Sequence, residues 1–138
     1  MPFKIDDEFE NESLMPIYWT IDSKARLTTV VAEGEVSLAD AMSLLDAMSG
    51  AKVLAYRKLF DGRTATTSMG ADDLLTVCAK IRSYHTQGTM GALAMIATAD
   101  QTVVFARVLG ALAAAERPTK LFGNPRQARL WIEAQAST

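Results

Sequence analysis

Residues 61–73 read Asp-Gly-Arg-Thr-Ala-Thr-Thr-Ser-Met-Gly-Ala-Asp-Asp. Thr64, Thr66, Thr67 and Ser68 place four hydroxyls in five positions, and Arg63 adds a cation suited to a phosphate or a carboxylate. The segment joins the end of an expected strand to the start of an expected helix. Open α/β sheets hold ligands at such junctions. The free N–H groups and dipole of the helix start favour an anion there. Asp61, Arg63, Thr66, Thr67, Ser68, Met69 and Gly70 are therefore the candidate residues for binding a ligand or a partner. The structural alternative is that Ser68 or Thr67 simply caps the helix. Asp72 and Asp73, just inside the helix, complement its dipole and would repel an added phosphate.

Other chemistry finds no constellation. Cys78 and His85 are seven residues apart on one helix, which separates them by about 10 Å at roughly 1.5 Å per residue. That is too far for a nucleophile–base hydrogen bond. Cys78 falls on an apolar stripe and reads as a core thiol, and His85 reads as a capping or surface residue near a helix end. Glu33 and Glu35 share one face of a strand end, but nothing else converges on them. One cysteine and one histidine make no disulfide and no cysteine-based or two-histidine metal site. Gly88-Thr89-Met90-Gly91 lacks the lysine of a phosphate-binding loop, and there is no dinucleotide fingerprint. The expectation is a non-enzymatic protein with no catalytic residue, no metal and no cofactor.

The elements that must position the 61–73 segment follow from pattern. Tyr18-Trp19-Thr20-Ile21 and Leu27-Thr28-Thr29-Val30-Val31-Ala32 flank the polar turn Asp22-Ser23-Lys24-Ala25. This predicts an antiparallel hairpin with strands near 17–21 and 26–35. Ser37 and Asp40 form a capping-box variant before a helix near 38–49, with Gly50 as its C′ residue. Arg57-Lys58-Leu59-Phe60-Asp61 is a short strand, and Leu74, Val77, Cys78, Ile81 and Tyr84 mark one face of a helix near 70–86. The apolar run 91–97 suits a strand buried on both faces. Asp100 caps an expected helix near 101–116, whose alanines and Gly110 favour tight packing on the sheet. A strand at 119–122 precedes a last helix opened by Asn124 and Pro125, burying Ala128, Trp131 and Ile132. The order is ββαβαβαβα. Strands alternating with single helices call for parallel pairing and right-handed crossovers.

Composition fits one folded domain of 138 residues, with 49% hydrophobic and 22% charged residues. The formal charge of −2 gives no basic excess for a nucleic-acid binder. Five of the 16 acids lie within residues 6–12, so residues 1–15 read as an acidic leader outside a domain at 16–138. Residues 13–138 hold 13 bases against 11 acids, a net of +2. The N-terminus lacks the basic and apolar regions of a secretory signal. No apolar run approaches the ~20 residues of a membrane span. The expected location is the cytoplasm.

The element order, the strand ending in Asp61 and the hydroxyl-rich segment after it resemble the SpoIIAA-like fold. That fold is shared by STAS domains, including the anti-anti-sigma factors, and by other small bacterial proteins. The resemblance covers residues 17–135 and implies a mixed, mostly parallel sheet flanked by helices. It implies two functions. In anti-anti-sigma factors a serine in an Asp-Ser-Ser-Gly motif is phosphorylated to switch a regulatory protein partner. Thr67-Ser68-Met69-Gly70 stands at the matching place, with Ser68 or Thr67 as phosphoacceptor, without the aspartate and with a methionine intruding. Other relatives shelter a small apolar molecule between helices. Here the walls would be the helices near 70–86 and 101–116, with Met42, Met48, Met69, Met90, Met95, Leu74, Cys78, Phe105 and Leu109 around the ligand. Methionines suit an adaptable pocket and an ordinary core alike. The leading expectation is a module binding a small apolar or anionic ligand or a partner protein. A phosphorylation-controlled interaction protein is the alternative, and a helix face pairing two copies into a homodimer is a third expectation.

Overall fold

The computed structural model describes residues 17–100 and 117–136. The elements run β1 (Ile17–Asp22), β2 (Leu27–Glu35), α1 (Leu38–Gly50), β3 (Arg57–Thr66), α2 (Ala71–His85), β4 (Leu93–Ile96), β5 (Thr119–Phe122) and α3 (Pro125–Ala134). The expected leader and the whole of the expected helix at 101–116 lie outside the described residues. Ala99 and Asp100 are helical, so Asp100 is a helical residue rather than the expected cap.

The five strands lie in sequence order, β1-β2-β3-β4-β5. The β1–β2 pair is antiparallel, joined by the expected polar turn. There Asp22 Oδ1 accepts a 2.9 Å hydrogen bond from the Ala25 amide. The other three pairs are parallel, as the intervening helical crossovers require. Register partners share a face. Val30, Phe60, Met95 and Leu121 form one row, and Thr28, Lys58, Leu93 and Thr119 the next.

Two apolar clusters cover the two faces. α3 packs Ala128 and Ile132 onto Leu27, Leu59, Ala94 and Ile96. On the opposite face Leu45 and Met48 of α1 meet Val53, Tyr84 and Met90. Burying such aliphatic side chains stabilises the fold by roughly 1.5–3 kcal/mol apiece. Cys78 is buried, as its place on the apolar stripe predicts, and burial pushes its thiol pKa up.

Local signals set the helix ends. Ser37 Oγ accepts from the Asp40 amide at 3.1 Å, and Asp40 Oδ2 accepts from the Ser37 amide at 2.9 Å. This completes the capping box. Asn124 Oδ1 accepts from Arg126 and Gln127, with Pro125 in the first turn. The end of α1 differs from expectation. Gly50 is its last helical residue, Ala51 is the C-cap, and Lys52 takes the left-handed turn with φ of 62°.

β3 is longer than the short strand expected at 57–61. A bulge between Val31 and Glu33 re-registers β2, and the ladder continues through Glu33↔Thr64, Gly34↔Ala65 and Glu35↔Thr66. Gly34 supplies the φ of +71° that the irregular backbone needs there. Paired backbone and β-branched threonines therefore hold 62–66 as strand, not loop.

Candidate functional site

The expected segment divides into three parts. Asp61, Arg63 and Thr66 lie on β3, residues 67–70 form a short connection, and Asp72 and Asp73 open α2. Asp61 and Arg63 engage each other. Arg63 Nη2 donates to Asp61 Oδ2 at 2.8 Å, and Arg63 Nε to Oδ1 at 3.0 Å. The Arg63 hydrogen bond holds the Asp61 carboxyl below its ordinary range.

Neither hydroxyl caps α2. Its N-cap is Gly70, without a side-chain hydrogen bond. Thr67 Oγ1 instead donates to the Val36 carbonyl at 2.6 Å and accepts from the Met69 amide at 3.2 Å. Ser68 donates to Glu35 Oε2 through its hydroxyl at 2.9 Å and its amide at 3.0 Å. Both side chains turn toward the β2–α1 junction, which removes them from the helix start. Glu35, which seemed isolated in sequence, is the partner of Ser68.

On the sheet face covered by α1 and α2 lies a cavity of about 610 Å³. Its lining is predominantly apolar and draws on four of the five expected methionines: Met48, Met69, Met90 and Met95. Phe60 and Leu93 form part of its floor, and Leu74, Val77 and Ile81 bring in α2. Of the candidate residues, Arg63, Thr66, Thr67 and Met69 reach the lining, while Asp61, Ser68 and Gly70 do not. Met42 packs in the neighbouring cluster. Phe105 and Leu109 lie outside the described residues, as does the His85 side chain.

Two residues that the sequence reading passed over also line the cavity: Lys58 and Arg117. Lys58 is 4% exposed and Arg117 8%. Lys58 Nζ donates to the Leu54 carbonyl at 2.6 Å and the Tyr56 carbonyl at 2.8 Å. Arg117 Nε donates to the Gly91 carbonyl at 2.8 Å, and its Nη1 lies 3.9 Å from Met90 Sδ. Arg117 Nη2 is buried with no hydrogen-bond partner among the described residues. Burial, reinforced by the Arg117 charge, pushes the Lys58 pKa down to about 7. Burial likewise pushes Arg117 down to about 10. The sequence signal was period-two alternation in β3, which places Lys58 on the same face as Phe60.

Polar groups line the cavity at both ends of the strands, including Arg63 and Asp100 at the carboxyl-terminal edge, with apolar side chains between them. Lys58 is the second residue of β3 and Arg117 just precedes β5, so both belong to the amino-terminal edge of the parallel strands. Thr64 and Thr66, at the far end of β3, belong to the carboxyl-terminal edge. Among the described residues, no group of His, Cys, Asp and Glu could hold a metal ion. Among the same residues, no helix is long and apolar enough to cross a membrane.

No protein-family model matches the chain. No curated protein matches it either. Among solved structures, it is similar to a protein of the DUF3478 family from Shewanella loihica, described as uncharacterised and as having a SpoIIAA-like fold. The two are 18% identical with a TM-score of 0.57, and the match covers 84% of this chain and 93% of that one. The sequential mixed sheet and its flanking helices are a SpoIIAA-like fold.

Proposed function

We propose that this chain is a non-enzymatic binding module that holds a small, largely apolar molecule between the sheet and helices α1 and α2. The observation that carries this reading is the cavity. Its volume of about 610 Å³ falls in the range of roughly 300–1,000 Å³ typical of small-molecule sites. Ordinary cores leave few voids larger than a water molecule. A predominantly apolar lining with a few polar groups favours ligands by desolvation and fixes their orientation. Flexible methionines on the walls adapt to the guest's shape.

Ser68 supports the phospho-switch less well. Its hydroxyl already faces the Glu35 carboxylate, so a phosphate there would meet a like charge. Arg63, the nearest cation in sequence, is engaged with Asp61.

The test is titration of the purified full chain with a neutral fluorescent probe, N-phenyl-1-naphthylamine. The expected result is saturable one-site binding, displaced by decanol. Val77→Trp, which fills the cavity from α2, abolishes binding while leaving the circular dichroism spectrum unchanged. Absence of saturable binding to the folded wild-type chain overturns the reading.

A further inference from the structure

The structure assigns Lys58 and Arg117 to the recognition of a carboxylate, so that the cavity's occupant is an aliphatic monocarboxylate with its head at the amino-terminal edge of the strands. This inference rests on the proposed function and specifies the ligand's class.

Four observations support it. Both residues line the cavity, and both are more than nine-tenths buried. Neither forms an ion pair with a carboxylate among the described residues. Two like charges buried together with no counter-ion among the described residues are costly. An anion entering from the cavity would offset that cost. Donor geometry points the same way. Arg117 Nη2 has no acceptor among the described residues. Lys58 has three ammonium hydrogens and two protein acceptors. One guanidinium N–H and one ammonium N–H match the two oxygens of a carboxylate. A phosphate monoester would bring a third terminal oxygen and up to two charges to this buried end.

The remaining donors are held in place. The Leu54 carbonyl receives both Lys58 Nζ and the Gly91 amide, the latter at 3.1 Å. The Gly91 carbonyl receives Arg117 Nε. Two hydrogen-bonded stretches of backbone, at 54–56 and at 91, therefore position the two cations before any ligand arrives. Pre-organisation of this kind strengthens binding by reducing its ordering cost. Beyond the two cations, the floor continues with Phe60 and Met95, which suits an alkyl chain rather than a polar body.

The test compares decanoate with decanol on the full wild-type chain at pH 6.5 by isothermal titration calorimetry. Decanoate is expected to bind at least about tenfold more tightly, the scale of one charge-assisted hydrogen bond. Lys58→Met and Arg117→Met are expected to remove that preference while retaining decanol binding. Should either variant fail to fold, the wild type still decides. Decanoate is expected to shift the Arg117 Nε–Hε resonance, and decanol to leave it in place. Equal affinity for the two probes, or an unmoved Arg117 resonance with decanoate bound, overturns the carboxylate assignment and leaves the apolar-site reading intact. Failure of both probes to bind overturns the apolar-site reading and the assignment together.

Discussion

Gly91 packs so closely on Tyr56 that a Cβ at position 91 would stand 2.1 Å from the Tyr56 carbonyl oxygen. That oxygen also accepts the Lys58 ammonium. The contact therefore joins fold and cavity in one place. Gly91→Ala must displace backbone, because the obstructing atoms are backbone atoms of Ala55 and Tyr56. Overpacking of this kind costs typically 1–3 kcal/mol, so a loss of about 3 kcal/mol is expected in urea denaturation. The same variant is expected to weaken decanoate binding more than decanol binding, because the displaced carbonyl supports Lys58. A urea midpoint equal to that of the wild type would show that the contact is not tight in solution.

Lys58 makes stability depend on pH. Its folded-state pKa of about 7 lies below the 10.5 of a free lysine. Between these values the unfolded chain holds a proton that the folded chain has released. Stability therefore rises with pH across that window, by up to about 1.4 kcal/mol per unit, and the full penalty is present below pH 7. Lys58→Met removes the titration. The wild-type profile minus that of the variant is expected to climb from about pH 7 toward 10.5, as read from urea midpoints at each pH. A flat difference would mean that Lys58 titrates as an exposed lysine.

Arg57 fastens α3 to the sheet from the opposite face. Its Nη1 donates to the carbonyls of Ile132, Glu133 and Gln135 at 3.2–3.3 Å, and Nη2 donates to the Ala25 carbonyl. A cation at a helix carboxyl end satisfies orphan carbonyls and complements the dipole. Arg57→Met keeps much of the side chain's apolar stem and removes these bonds. The expected loss is about 2 kcal/mol, near the middle of the range for hydrogen bonds to charged groups. Hydrogen exchange should quicken first in α3 and spare β2 and β3. Uniform acceleration across the sheet would contradict a local fastening.

Much of the fold was legible because its signals are local. Ser37 with Asp40, and Asn124 with Pro125, mark helix starts through contacts three residues long. Runs of strand-forming and β-branched residues on either side of a polar turn placed β1 and β2. Four of the five methionines offered with the family resemblance line the cavity, and Met42 does not. What escaped reading is non-local. The extension of β3 through Thr66 depends on register with Glu33–Glu35 after a bulge. The partners of Thr67 and Ser68 are 31 and 33 residues away. Arg117 meets Gly91 across 26 residues. No spacing rule along the chain brings such groups together. A lysine on a strand beside Leu59 and Phe60 gave one local sign of Lys58, but its burial becomes visible only once α1 and α2 cover that face.

Ser68 and Glu35 allow the phosphorylation reading to be weighed directly. Ser68 presents both an amide and a hydroxyl to Glu35 Oε2. Ser68→Ala removes one exposed hydrogen bond and is expected to cost about 1 kcal/mol or less. Ser68→Asp also places a second carboxylate against the first. Its deficit is expected to exceed that of Ser68→Ala at neutral pH. Raising the salt concentration should shrink the difference, because screening weakens repulsion between exposed charges. Urea midpoints of the three proteins at pH 7, in low and in high salt, provide the check. A Ser68→Asp chain as stable as wild type at pH 7 would show that this junction accommodates added negative charge, and would favour the switch.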